Sequence, residues 1–271
     1  MTTILMHVTK RKIPIELKYV AKDLYIYESK NSKKEILTFF ADGFPGLVFF
    51  HSHSQVKVIV GELSKVMEPV FLYGQTLEPI QIEIEGPFFF VMVQLFPSFV
   101  EETLEIPISE LTNSCWTIKK EEWQSESGFE SSIQKHSSEM AADAILQFVK
   151  SKAKKFSPDL TLHNCIETIL ESNGSCEIQN IANELGISER TLQRKFQKSV
   201  GLTPKQFATI IRFHTSLHGL NEDKNIKLTD IAYENGYSDQ SHFIRQFKSF
   251  TKEKPFQFRE KKGNMSGSSN F

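Results

Sequence analysis

The chain has 271 residues, enough for two ordinary domains, with 39% hydrophobic and 24% charged residues and a formal net charge of −1. This composition excludes disordered and collagen-like chains, and the lack of any run of about 18 apolar residues argues against a membrane span. Three cysteines (Cys115, Cys165, Cys176) form no CxxC pair and no even set, and the opening MTTILMHVTKRKIPIEL is too polar for a signal-peptide core, so a reduced, cytoplasmic protein is expected.

The first hundred residues read as β. Ile80-Gln-Ile82-Glu-Ile84-Glu alternates strictly, as a half-buried strand should. Gly46 to Phe50, Val56 to Val60 and Phe88 to Phe96 are further strand candidates. Asp42-Gly43, Pro45-Gly46, Gly61, Gly74 and Glu85-Gly86-Pro87 supply the turns between them. Short strands at this spacing predict an antiparallel barrel or sandwich. Phenylalanines (Phe39, Phe40, Phe49, Phe50, and Phe88 to Phe90) lie on the predicted strands, and core packing accounts for most of them. Such a barrel can enclose a small effector, but no pocket residue can be named from the sequence.

Further along, Ser138 to Lys155 reads as an amphipathic helix, with Ala141, Ala144, Ile145, Phe148, Val149 and Lys152 on one side. Lys150, Lys152, Lys154 and Lys155 close it, a favourable sign of charge for a helix C-terminus. Packing on its own barrel fits this face, and a family resemblance carried by other residues of the chain implies a linker or dimerisation helix equally well. Beyond it the charge changes. From Ser188 onward there are fifteen Lys/Arg and eight Asp/Glu, or +7, leaving 17 − 25 = −8 for the remainder. A basic C-terminal segment suits a polyanion.

That segment contains an internal repeat. Ile181-Ala182-x-Glu184-x-Gly186-x-Ser188 recurs fifty residues later as Ile231-Ala232-x-Glu234-x-Gly236-x-Ser238. After one extra residue, Leu192, Arg194, Phe196, Pro204 and Phe207 correspond to Phe243, Arg245, Phe247, Pro255 and Phe258. Each copy reads as helix, tight turn, helix. In the first, Glu177 to Leu185 carries Ile178, Ile181, Ala182 and Leu185 at helical spacing. Gly186 supplies a left-handed residue that stops this helix, and Ser188 caps the next. Leu192 and Phe196 face inward, while Arg190, Gln193, Arg194 and Lys198 face outward. The second copy repeats the plan with Ala232, Gly236, Ser238, Phe243 and Phe247. A pair of antiparallel helices needs no DNA, but small and glycine residues four apart, twice over and each before a basic helix, favour two helix-turn-helix units. Between them Thr203-Pro204 opens a helix to about Leu220, roughly 25 Å long at 1.5 Å per residue. Such a strut can hold two recognition helices about one DNA turn, ~34 Å, apart.

IANELGISERTLQRKFQKSVGLTPKQF and LTDIAYENGYSDQSHFIRQFKSFTKEKPFQFR resemble the DNA-binding domain of the AraC/XylS family, and the resemblance runs from about Asp159 to Lys262. One departure is Lys252-Glu253, where that family usually has a glycine; only a loop after the second recognition helix should be altered. DGFPGLVFFHSH through FFFVMVQLFPSF, then IPISELTN, resembles the cupin-like sensor half of one branch of the same family, over about Ile13 to Trp123. The resemblance implies base-reading side chains at Arg190, Gln193 and Arg194 in the first unit, and at Gln240, Ser241, His242 and Arg245 in the second. The chemistry agrees, since Arg pairs bidentately with guanine and Gln with adenine in the major groove. Lys195, Lys198, Lys248, Lys252 and Lys254 are candidates for phosphate contacts, with a solvated rim as their plainer role. Arg245 has a second reading, as a buttress of its helix.

The expected fold is therefore α+β in two domains: a cupin-like antiparallel β sensor domain (1–136) with flanking helices, a helical linker (137–157), an all-α tandem helix-turn-helix domain (158–262) and a disordered tail (263–271). The expected function is sequence-specific transcription regulation on double-stranded DNA, controlled by a small-molecule effector or by oligomerisation; RNA polymerase and a second copy of the chain are further candidate partners. No cofactor and no catalytic residue are expected. The alternative is a metal-dependent cupin-type enzyme fused to the DNA module, because His51-Ser52-His53 places two imidazoles on one strand face. Cupin enzymes add a nearby glutamate and a later histidine. Here the first glutamate is Glu62 and no histidine follows in the barrel segment, so no metal is expected. A redox sensor built on Cys165 and Cys176, flanking the first helix of the DNA-binding domain, is a third reading, weakened by the lack of a cationic cluster.

Overall fold

The computed structural model describes residues 6–104, 106–124, 128–222 and 226–264. In chain order its N-terminal half contains β1 (His7–Arg11), β2 (Ala21–Ser29), β3 (Lys34–Phe39), β4 (Gly46–Ser52), β5 (Val56–Val60), β6 (Leu63–Met67), β7 (Val70–Tyr73), β8 (Ile80–Glu85) and β9 (Phe88–Leu95). There follow α1 (Pro97–Leu104), α2 (Ile108–Leu111), β10 (Cys115–Thr117), α3 (Lys120–Gln124), α4 (Gly128–Gln134) and α5 (Ser138–Lys152). The strands form two antiparallel sheets, ordered β1-β2-β9-β4-β7-β10 and β3-β8-β5-β6. They stack as an open sandwich rather than a closed barrel.

Layering explains the two kinds of strand. The larger sheet is covered on both faces: Leu47, Phe49, Val91 and Val93 point into the helical layer, while Val48, Phe50, Phe90 and Met92 point at the smaller sheet. Every residue of β9 is accordingly buried, and its sequence is apolar apart from Gln94. The smaller sheet has solvent on its outer face, so β8 alternates as its sequence does. The apolar side of α5 (Ala141, Ala144, Ile145, Phe148, Val149) is buried in the core on the larger sheet. Packing on its own sheet is thus how the molecule uses that face. Phe40, expected on a strand, lies one residue beyond β3 and packs edge-on against Phe258, with centroids 5.4 Å apart.

The C-terminal half is helical: α6 (Leu160–Glu171), α7 (Ile178–Glu184), α8 (Glu189–Val200), α9 (Pro204–Glu222), α10 (Leu228–Glu234), α11 (Gln240–Thr251) and α12 (Pro255–Asn264). Residues 265–271 of the expected tail lie outside the described residues; 263 and 264 end α12. Phe207, Ile210, Phe213 and Leu217 make α9 the spine onto which Leu192 and Phe196 of α8 and Phe243 and Phe247 of α11 pack. The same core takes in Ala41, Phe44 and Phe96 from the sandwich, so the two halves share apolar packing. Among the described residues no helix is long and apolar enough to cross a membrane.

Candidate nucleic-acid interface

The first helix pair is built as its sequence requires. Gly186 ends α7 at φ 67°, and the Ile187 amide turns back to donate to the Ala182 carbonyl at 3.0 Å. Ala182 is fully buried in the core that α7 and α8 share, where a larger side chain would hold the helices apart. Ser188 Oγ then accepts from the Thr191 amide at 3.1 Å and starts α8. In the second pair Gly236 has φ 68° and Tyr237 donates to Ala232 at 2.9 Å. The cap there is not Ser238, as expected, but Asp239, which accepts from the His242 amide at 2.8 Å. The extra residue of the second copy falls between the glycine and the cap. Asp239, fifty-one positions after Ser188, therefore inherits the capping geometry, and its carboxyl is held below the usual carboxylate range first by that amide.

On α8, Leu192, Phe196 and Val200 are buried while Arg190, Gln193 and Arg194 are exposed on the opposite side. The Gln193 side-chain amide donates to Glu189 at 2.9 Å, a bond that any base contact by this side chain would have to break. On α11, Ser241 and Arg245 are exposed, whereas Gln240 and His242 are half-buried. His242 Nδ1 lies 3.2 Å from Ser238 Oγ, and its ring stands edge-on to Tyr237 at 5.4 Å. Arg245 lies close enough to Asp239 to lower that carboxyl further. The second unit thus presents shorter and more tethered groups than the first.

The five candidate phosphate ligands differ in their surroundings. Lys248 and Lys254 are exposed on or just after α11. Lys198 is exposed near the acidic Glu102 of α1, whose carboxyl is raised by burial and by Glu101 but lowered by Lys198. Lys195 is half-buried and ion-paired to Asp159, the residue that caps α6 by accepting from Leu162. Lys252 forms an ion pair with Glu78 of the sandwich at 2.8 Å. Both Lys195 and Lys252 are thus engaged within the protein. Lys252 also caps α11 at φ 64°, the position that Gly201 fills on α8 at φ 76°. The departure from glycine leaves the left-handed turn intact and adds a link to the other half of the chain.

Sequence reasoning missed how the sandwich touches these helices. Helices α1 and α2 pack along α8, and Ile108 lies against the Gly201 turn. Phe44 stands 5.7 Å from Phe207, which in turn stands 5.6 Å from Phe196 of α8. Ile108 and Gly201 are 93 positions apart and Phe44 and Phe207 are 163, so these contacts leave no local pattern. A third histidine was also missed: His136, after α4, comes within 2.9 Å of His51. Cys165 lies inside α6 rather than beside it, and burial pushes its thiol up to about 12, the wrong direction for a reactive thiolate.

Comparison with known proteins follows the same division of the chain. Residues 181–261 match a helix-turn-helix domain family, and residues 16–117 match a domain of unknown function, DUF6597. The HTH-type transcriptional activator RhaS of Escherichia coli (strain K12 / DH10B) is 35% identical over 68 residues, which are 25% of this chain and 24% of RhaS. These matches support an AraC/XylS-type helix-turn-helix domain over that part of the chain. It matches about a quarter of the length of the curated relatives it resembles. ToxT from Vibrio cholerae, in a 1.65 Å structure, superposes with a TM-score of 0.50 at 15% identity, over 96% of this chain and 98% of ToxT. At that identity the likeness concerns fold alone: a helical domain behind a β sandwich.

Proposed function

We propose that the chain is a sequence-specific transcription regulator that binds double-stranded DNA through α8 and α11. The observation that carries this reading is the paired construction of the two units. In each, a left-handed glycine and a side-chain cap set a basic helix whose apolar face is locked onto α9 and whose arginines point outward. Such a helix fits the major groove, and α9, with nineteen residues, spaces two of them by roughly the length of one DNA turn. We read the chain as a binding protein rather than an enzyme: among the described residues no glutamate joins the histidines of the sandwich, as the cupin-type alternative would need. The apolar face of α5 is already covered, so a homodimer would have to use another surface.

Control by a small effector is supported by the way the halves meet. A cavity of about 20 Å³ lies between the sandwich and α9, lined by Phe39, Asp42, Tyr73, Met92, His214 and Leu217. It has room for about one water molecule. A metabolite would enter only if the sandwich shifted on α9, which would tie occupancy to the placement of both recognition helices. The test is selection of bound sequences from random double-stranded DNA with the full chain, at low salt, with and without a metabolite panel. Enrichment of one motif is the expected result; failure to enrich any motif would overturn the reading.

A further inference from the structure

We propose that His51, His53 and His136 form a binding site for one divalent transition-metal ion, of the class of Zn²⁺, Ni²⁺ or Co²⁺. The proposal is independent of DNA binding. His51 ends the inner-facing row of β4, in register with Leu47 and Phe49 on the face toward the helical layer. His53, two residues on, follows it past the strand end. His136 arrives from the other side, in the turn between α4 and α5, eighty-five residues after His51. Each residue offers one imidazole nitrogen, and the three nitrogens all lie within 4.8 Å of one another. The His51 and His136 nitrogens are 2.9 Å apart, and the ring centroids of the three pairs are 4.8, 5.6 and 5.8 Å apart.

These distances suit a shared ion. Two imidazole nitrogens each about 2.1 Å from a tetrahedral Zn²⁺ stand roughly 3.4 Å apart. The His51–His136 separation is somewhat shorter than this and the group's limit somewhat longer. Small rotations of the exposed His53 and His136 rings about their side-chain bonds can even them out. His51 is held in place by packing on Phe89 at 5.4 Å. His136 is held by its backbone: its amide donates to Ile133, and Ser137 beside it caps α5. One ring and a second backbone are therefore already in place, which lowers the cost of ordering the site.

The donor set selects the ion. Three neutral nitrogens with no carboxylate in the group suit borderline metals and not Mg²⁺ or Ca²⁺, which require oxygen ligands. The exposure of His53 and His136 leaves water to complete the coordination. An ion here joins the end of β4 to the start of α5, the helix that covers the larger sheet and leads into the DNA-binding half. Its expected action is to clamp that helix and raise the stability of the sandwich.

The test uses the full chain, untagged and treated with chelator. Titration with Zn²⁺ alone by calorimetry should show one ion per chain with saturation below about 100 µM, and Zn²⁺ should raise Tm reversibly. Co²⁺ should develop a d–d absorption that Zn²⁺ displaces. His51→Ala and His136→Ala should each weaken Zn²⁺ binding by about tenfold or more, whereas His7→Ala, at the far edge of the larger sheet, should not change it. Absence of saturable binding to the wild-type chain would overturn the proposal without needing any variant. So would an unchanged affinity in the folded His51→Ala/His136→Ala double variant.

Discussion

The ring of Phe44, in the loop between β3 and β4, stands edge-on to Phe207 of α9 with centroids 5.7 Å apart. Phe96 packs on the other side of Phe44 at 5.8 Å, and Phe207 carries the contact on to Phe196 of α8. Gly43 makes the approach feasible: it has φ 85°, and a Cβ there would lie 2.8 Å from the Phe207 ring. The loop is pinned by the half-buried Asp42, which accepts from the Phe44 amide at 2.9 Å and from Gln94. A row of four rings therefore runs from the sandwich to α8, the proposed first recognition helix.

Phe44→Ala should accordingly cost about 3–5 kcal/mol in chemical denaturation, the usual cost of removing a fully buried ring. Limited proteolysis should then cut between the halves faster than in the wild type. Equal stability and equal cleavage would show that the halves are held together elsewhere.

The displaced cap yields a second expectation. Asp239→Ala should lower Tm and weaken DNA binding, because the first amides of α11 lose their acceptor. Ser238→Ala should do much less, although Ser238 is the residue that matches Ser188 in the repeat. The Asp239 contribution should fade as pH falls through its depressed pKa. Thermal melts of the two variants decide the matter, and a larger loss from Ser238→Ala would contradict the assignment.

The two recognition helices should divide the work. Arg194→Ala should cost roughly 1–3 kcal/mol on the preferred site and relax preference at one base position, since its side chain is exposed and long enough for a bidentate contact. His242→Ala should cost less and leave preference nearly unchanged, because its ring is tethered to Ser238 and Tyr237. Binding to a panel of single-base operator variants measures both. Stronger respecification by the histidine variant would reverse the ranking.

The ion pair between Lys252 and Glu78 couples one half of the chain to the availability of a cation on the other. Both groups are partly exposed, so the pair itself is worth under about 1 kcal/mol. Glu78→Gln should release Lys252 and tighten DNA binding by roughly twofold to fivefold at low salt. Lys252→Gly should keep or raise Tm, since relief of the left-handed strain is worth about 1 kcal/mol, while shallowing the salt dependence of binding. A salt slope unchanged in Lys252→Gly would exclude Lys252 as a phosphate ligand.

Acid should loosen the contact between the halves. His214 of α9 lines the small cavity, and burial, with help from Lys22 and His218 and opposed by Asp23, lowers its pKa to about 4. The unfolded chain takes up this proton near 6.5, the folded one only near 4, so stability declines as pH falls below the unfolded value. His214 alone should remove about 2 kcal/mol between pH 7.5 and 5. His163, lowered by burial where it packs on Phe96, acts in the same direction. Asp42, raised by its burial in the same cavity, opposes them at the acid end. Denaturation of wild type and His214→Asn across this range should show a flatter pH dependence in the variant. Parallel curves would exclude His214 as the source.

Much of this was legible in the chain itself. The alternation of Ile80 to Glu85, the apolar run from Phe88 to Val93, and the spacing from Ala182 to Gly186 and Ser188 are local patterns, each with one physical meaning. Periodicity, a left-handed glycine and a cap act within a turn or two, so they can be read without knowing what packs above them. The outward face of α8 followed from the same periodicity. Three things did not: which residue capped α11, which lysines were engaged, and which histidines met. Asp239 became the cap because an inserted residue shifted the geometry while leaving a serine in the matching place. Lys195 and Lys252 met carboxylates brought by α6 and by the sandwich, and His136 reached His51 only because α4 and α5 cover the larger sheet. Tertiary packing decided these, since each depends on a partner distant in sequence, and a single side chain carries no mark of the neighbour that folding will bring to it.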